Sequence, residues 1–165
     1  MESSAVADTG PILHLAEIDS LNALDIFSKI FIPDEVHSEL RKKEVAIPKK
    51  IKVVQLKKEF KDKVKILTNQ YDLDPGESEA ISLFLQEKMN YFLTDDLGAR
   101  QVAKEFNIEV HGTAGIILRS FREGIIDKKT ALNKVHELHS KSSLFITSDL
   151  IAQIVTAIND FSKNK

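Results

Sequence analysis

The sequence predicts one α/β domain with a mostly parallel sheet and a helical C-terminal extension. Three observations carry this. Short apolar runs at residues 4–8, 29–32, 51–54, 90–94 and 108–111 read as strands. Segments with helical spacing separate most of them, as crossover connections between parallel strands require. The tail from Lys128 to Phe161 reads as two more helices, parted near Ser142-Ser143.

The first strand, Ala5-Val6-Ala7, runs into Asp8. Thr9-Gly10-Pro11 then opens a helix carrying Leu13, Leu15, Ile18 and Leu21, with Pro11 suited to a first turn. A second short helix, residues 21–27, precedes the next strand. Pro33-Asp34 stops that strand and starts a helix in which Val36 and Leu40 share a face. Residues 57–70 form a further amphipathic candidate. Asp74-Pro75-Gly76-Glu77 is a helix-start signature: Asp as cap, Pro in the first turn, Glu three residues after the cap. Ala80, Ile81, Phe84 and Leu85 continue its apolar stripe. Tyr91-Phe92-Leu93 is a strand that enters Thr94-Asp95-Asp96, and helices follow over about 98–106 and 113–122.

At 165 residues the chain suits one domain with a real core and is short for two. With 42% hydrophobic and 29% charged residues it has an ordinary globular composition. The lack of cysteine excludes a disulfide framework, a thiolate metal site and a cysteine nucleophile, and fits a reducing cytoplasm. No apolar run approaches the roughly 18–20 residues of a membrane span, and no signal pattern opens the chain. A soluble cytoplasmic protein with no membrane association is expected.

The net charge of −2 hides an uneven distribution. Arg41–Lys65 holds 11 basic and 3 acidic residues, so the remainder is strongly acidic. The segment is either a solvated lysine-rich surface or a footprint for a polyanion beside an acidic site.

Carboxylates at the carboxyl ends of strands stand where ligands bind in open α/β sheets. Asp8 and the Asp95-Asp96 pair occupy such places. If their strands are neighbours, these groups converge, and like charges need a balancing cation, usually a divalent metal. Each residue also has a plainer reading. Asp8 can be a helix cap or turn residue, and the Asp-Thr-Gly triplet of aspartic proteases does not suit a helical chain with one copy. Glu39 lies beside the apolar stripe of its helix, where an exposed glutamate is the commoner occupant. Glu77 is explained by its capping box. Glu79, two residues on, does not share a face with Glu77. Asp95 and Asp96 point to opposite sides, so one can enter the cleft while the other caps the next helix. The constellation Asp8, Glu39, Glu77 and Asp96 is more persuasive than any member.

Those residues resemble a PIN-domain ribonuclease over about residues 4–125. The resemblance rests on the strand ending in Asp8-Thr9, Val36-x-x-Glu39-Leu40, Gly76-Glu77-Ser78-Glu79-Ala80 and Leu93-Thr94-Asp95-Asp96. It is strongest with the prokaryotic branch that carries paired Glu and paired Asp, where Gly112-Thr113 and Gly124-Ile125 also recur. It implies a three-layer α/β/α sandwich with strand order 3-2-1-4-5, which sets the Asp8 and Asp96 strands side by side. The expected division is a PIN-like nuclease domain over 1–125, with 126–165, which fits the family less well, as a helical extension of the same domain.

Flap endonucleases, which PIN domains resemble, likewise use a Gly-Glu pair opening a helix and a Thr-x-Asp strand end. By that match Asp8, Glu39, Glu77 and Asp96 are the catalytic acids. Asp8, Glu77 and Asp96 would hold metal, with Asp95 and Glu79 as auxiliary ligands or metal-water contacts. Thr9 and Thr94 would orient carboxylates or waters. Hard oxygen ligands suit Mg²⁺ or Mn²⁺, whereas the five histidines show no ligand spacing, and His14 and His111 read as structural.

The expected reaction is hydrolysis of RNA phosphodiester bonds by a metal-dependent endoribonuclease. Arg41, Lys42 and Lys43 would form a basic rim, with Arg100 at the same entrance. Small single PIN domains resemble VapC-like toxins of toxin–antitoxin pairs, which implies a homodimer and a protein antitoxin as partners. The alternatives are a non-catalytic PIN-like interaction module and a phosphatase or receiver-like domain. The last lacks its phospho-acceptor Asp and its late strand-end Lys.

Overall fold

The computed structural model describes residues 3–164. Among them, five strands form one all-parallel sheet: β1 (Ser4–Ala7), β2 (Lys29–Ile32), β3 (Ile51–Val53), β4 (Tyr91–Leu93) and β5 (Val110–His111), in the order β3-β2-β1-β4-β5. This is the strand order that the resemblance implies, in an α/β/α fold. The helices are α1 (Thr9–Glu17), α2 (Asp34–Lys42), α3 (Lys58–Tyr71), α4 (Pro75–Glu87), α5 (Leu97–Glu105), α6 (Thr113–Arg122), α7 (Lys128–Ser140) and α8 (Ser148–Lys163). The short helix expected after α1 is a 3-10 helix, Leu21–Ile26. Strand ends expected at Asp8, Val54 and Thr94 lie one residue beyond the strands, although their N–H groups still donate to the Leu93, Ile32 and His111 carbonyls of the neighbouring chain segments.

The chain divides into two compact units. The first comprises the chain up to Leu13 together with Phe27–His111 and contains the whole sheet. β1 is buried along its full length, as a central parallel strand covered on both faces must be. Its register sets Val6 beside Phe92 and Ala7 beside Leu93, so Asp8 and Thr94 leave the sheet together. Val6 and Phe92 join Leu67, Ile81, Phe84, Val102 and Ile108 in one apolar cluster.

Helix α4 is the centre of this packing. Its capping box forms as the sequence predicts, with Asp74 accepting from the Glu77 N–H at 2.7 Å and Glu77 accepting from the Asp74 N–H at 3.0 Å. Small residues Gly76, Ser78, Ala80 and Ser82 are buried along it, which lets α3 approach closely. Two hydroxyls clip the pair: Thr68 donates to Ser78 Oγ at 3.0 Å, and Ser82 donates to the Phe60 carbonyl at 2.6 Å.

The second unit holds His14–Ile26 and the chain from Gly112 onward. In it α6 packs on the 3-10 helix, and α7 and α8 pack on one another and on α6. Asp127 caps α7 by accepting from the Thr130 N–H at 2.8 Å, which holds its carboxyl below the usual range. Lys134 donates to the Ile18 carbonyl at 2.6 Å, and Glu17 accepts from Ser143 Oγ at 2.8 Å. Among the described residues no helix is long and apolar enough to cross a membrane.

Candidate active site

The parallel pairing of β1 with β4 builds the site. The Asp8 N–H still donates to the Leu93 carbonyl, at 2.8 Å. The Asp8 side chain then turns into the gap beyond the strands, 7% exposed. Both of its oxygens are engaged. Oδ1 accepts from the Thr9 N–H at 2.8 Å, and Oδ2 accepts from the fully buried Thr94 hydroxyl at 3.0 Å. Thr94 Oγ1 also accepts from the Asp96 N–H at 3.2 Å. One hydroxyl therefore fixes both the Asp8 carboxyl and the turn that carries Asp96.

Glu39, half-buried on α2, reaches the same place through Thr9, whose hydroxyl donates to Glu39 Oε2. Its other oxygen lies against the start of α4. A Cβ added at Gly76 would stand 2.6 Å from Glu39 Oε1, closer than unbonded carbon and oxygen tolerate. Gly76 is thus the clearance that admits the Glu39 carboxylate beside the α4 N-terminus.

Glu77 and Asp96 complete the group from the starts of α4 and α5. Glu77 lies within electrostatic reach of Asp74, Asp96 and Asp8. Asp96 is exposed, and its Oδ2 accepts from the Ala99 N–H at 2.8 Å. The helix cap in this pair is therefore Asp96 itself, and not Asp95. Asp95 is half-buried. Glu79 faces away from Glu77, toward the start of α2, where it accepts a long 3.5 Å contact from the Glu35 N–H and lies near Asp34 and Glu39. The separation of Glu77 and Glu79 follows from helix geometry, which sets i and i+2 on different faces.

Burial dominates the electrostatics. Asp8 is pushed up to about 7 by desolvation, with Asp74 and Glu39 adding like-charge repulsion against the opposing hydrogen bonds from Thr9 and Thr94. Glu77 is pushed up to about 8 by desolvation and by Asp74, Asp96 and Asp8. Glu79 is raised by burial, with Glu35, Asp34 and Glu39 adding to it. These charges are all carboxylates, the condition that a bound cation relieves.

Asp74 is the member that sequence reasoning missed. The Asp-Pro-Gly-Glu pattern accounts for it as a cap, and it is one. It also acts on both Asp8 and Glu77 by charge. The order β3-β2-β1-β4-β5, which brings the start of α4 next to β1, was the only available signal.

The fit to a divalent metal has two sides. The donors are carboxylates with hydroxyl partners, an all-oxygen set that matches a hard cation. No three acidic or histidine side chains among the described residues surround one point, and Glu77 and Asp96 are turned onto their own helix caps. The bond that Glu77 accepts is exposed and that of Asp96 is part-buried, and a side-chain rotation of Glu77 releases it without moving the backbone.

Arg41, Lys42 and Lys43 are exposed at the end of α2, where Arg41 and Lys42 line an open recess of about 400 Å³ with Ser38. Arg100 is half-buried on α5, its N–H donates to the Asp96 carbonyl at 3.0 Å, and its Nε is buried with no hydrogen-bond partner. His111 packs at 4.9 Å on the Tyr91 ring and lies 3.8 Å from Glu109, a structural setting.

A family model described as a PIN domain (DUF3368) matches residues 4–160. No curated protein and no solved structure shows a significant match.

Proposed function

Because the chain belongs to the PIN-domain family, whose members are generally nucleases that use divalent metals, we propose that it is an Mg²⁺- or Mn²⁺-dependent endoribonuclease and the toxin of a toxin–antitoxin pair. The observation that supports this best is the convergence of Asp8, Glu39, Asp74, Glu77 and Asp96 beyond the carboxyl ends of β1 and β4, with desolvation and their own charges holding Asp8 and Glu77 well above the usual carboxyl range. When bound, the metal supplies a water of lowered pKa and charge neutralisation at the scissile phosphate.

The chain's own residues do the rest. Asp8, Glu77 and Asp96 would hold the metal, with Asp95 and Glu79 as auxiliary groups. Glu39, to which the Thr9 hydroxyl donates, would accept a proton from the attacking water. Thr94 keeps the Asp8 oxygens aimed by its hydrogen bond. Arg41, Lys42 and Lys43 offset the repulsion between an acidic centre and the RNA backbone, and Arg100 offers a further cation beside Asp96. A homodimer and a short protein antitoxin are the partners this reading implies.

The test is cleavage of single-stranded RNA by purified protein with Mn²⁺. The expected outcome is activity in the wild type and its loss in Asp8→Asn and Asp96→Asn proteins that remain folded. Cleavage unchanged by either substitution removes the site assignment. A second reading, a non-catalytic interaction module, has one observation in its favour: the Glu77 and Asp96 carboxylates both accept helix-cap hydrogen bonds. Titration calorimetry separates the two, since a module shows no saturable Mn²⁺ binding.

A further inference from the structure

Beside the acidic centre lies a recess of about 330 Å³ that shares only Glu79 with the proposed metal-binding set. Its volume is at the low end of the range of roughly 300–1,000 Å³ for small-molecule sites. Val54, Leu56 and Val64 form an apolar wall, while Lys61 and Lys65 line it from α3. The two lysines are one turn apart, so they share a helix face. Asp34, Gln55 and Glu79 line the rest, and Glu79 lies among Asp34, Glu35 and Glu39. The recess therefore opens next to the acidic cluster.

Its walls are held in place. The Gln86 side chain on α4 accepts from the Lys57 N–H at 2.7 Å and donates to the Gln55 carbonyl at 3.1 Å. The Gln55 side chain donates to Asp34 Oδ1 at 2.8 Å. These three bonds fix the β3–α3 connection against α4 and the start of α2. A binding wall that is set beforehand loses little entropy on occupation.

We propose that this recess holds one nucleotide of a single-stranded RNA, its base against Val54, Leu56 and Val64 and its phosphate on Lys61 and Lys65. The inference rests on the nuclease reading and names a subsite for its substrate. Single-stranded RNA is read through splayed bases whose faces pack on protein and whose edges meet polar groups, and Gln55 and Asp34 stand at the edge of this wall. A basic peptide would also find carboxylates here, but Lys61 and Lys65 oppose it while they attract a phosphate.

Methyl NMR of the metal-free protein tests the subsite without depending on cleavage. The probes are the four ribonucleoside 5′-monophosphates, ribose 5-phosphate and an arginine tripeptide. The expected result is saturable shifts of the Val54, Leu56 and Val64 methyls with at least one nucleotide. Binding should be about tenfold weaker for ribose 5-phosphate, and about tenfold weaker for nucleotide in the K61A/K65A variant. The shifts should persist in Asp8→Asn protein.

Equal response to ribose 5-phosphate, response to the peptide in place of nucleotides, or no methyl response overturns the proposal. RNA cleavage by the wild type is measured in parallel. Failure of the nuclease reading appears as no cleavage at all, whereas failure of the subsite appears as methyls silent to nucleotides in a protein that cleaves.

Discussion

The Thr94 hydroxyl donates to Asp8 Oδ2 at 3.0 Å, joining the carboxyl ends of two neighbouring parallel strands whose residues lie 86 apart in sequence. Both groups are buried, and each is the other's means of staying so. The bond holds the carboxyl in one orientation, and its loss leaves a buried acceptor with one donor fewer.

Thr94→Val, which keeps the shape and removes the donor, should destabilise the fold by about 1–3 kcal/mol. Support of this kind around a metal ligand is typically worth about 10–100-fold in metal affinity or activity. Calorimetric Mn²⁺ titration and RNA cleavage should both fall by that order, and Thr94→Ser should retain most of each. Unaltered Mn²⁺ affinity in Thr94→Val would show that the hydroxyl does not orient Asp8.

Metal-free protein should lose stability as pH rises from about 4 to about 8. Asp8 and Glu77 keep their protons to about 7 and about 8 in the folded state, while the unfolded chain gives them up near 4. Within that window unfolding releases protons, so stability is full below the unfolded values and declines as pH passes through the folded ones. Each fully buried group of this kind contributes about 1.4 kcal/mol per pH unit, and half-exposed Glu77 contributes less. Thermal melts in EDTA should show a lower Tm at pH 8 than at pH 5, with a flatter profile in Asp8→Asn. Mn²⁺ should raise Tm more at the higher pH, because the ligands must be deprotonated to bind it.

Gly76→Ala sets two effects against each other. Alanine gains roughly 0.5–1 kcal/mol over glycine in a helix, but its Cβ would stand 2.6 Å from Glu39 Oε1. The glutamate tip can move, at the expense of its bond from Thr9. Stability should therefore stay within about 1 kcal/mol of wild type while cleavage drops at least tenfold. In a Glu39→Ala background the same substitution should leave the residual activity unaltered. An equal loss in both backgrounds would refute the clearance role.

Removing Arg41, Lys42 and Lys43 together by alanine substitution should weaken RNA binding across sequences. Each lost phosphate contact lowers the salt dependence of log affinity by about 0.7 for a single strand, so three contacts give a slope smaller by about 2. Binding isotherms at several salt concentrations measure this. An unaltered slope would place the RNA backbone elsewhere.

Much of the fold was legible because it is written in local periodicity. The α4 start could be read residue by residue from Asp74-Pro75-Gly76-Glu77, since a capping box depends only on groups three residues apart. The run Thr113–Arg122 was legible from its helical spacing alone, since Gly112 supplies no side-chain cap. The strands were read one residue too long at Asp8, Val54 and Thr94, and too early at Asn90 and Ile108, because apolar patterning does not report where strand pairing starts and stops. The ranking of Asp95 against Asp96 was harder. Alternation says that the two diverge, but the turn after β4 makes Asp96 the cap of α5.

The sequence by itself determined the elements, their order and the presence of an acid after each of the two strands that matter. Tertiary structure alone decided that Thr94 and not a cation of the protein lies against Asp8, and that Thr9 and Gly76 together place Glu39. It also brought Asp74 from a cap into the cluster, by electrostatic reach to Asp8 and Glu77. The physical reason is range. Periodicity and capping act over three or four residues, while a shared cleft depends on which strands lie side by side, and β1 and β4 meet across most of the first compact unit.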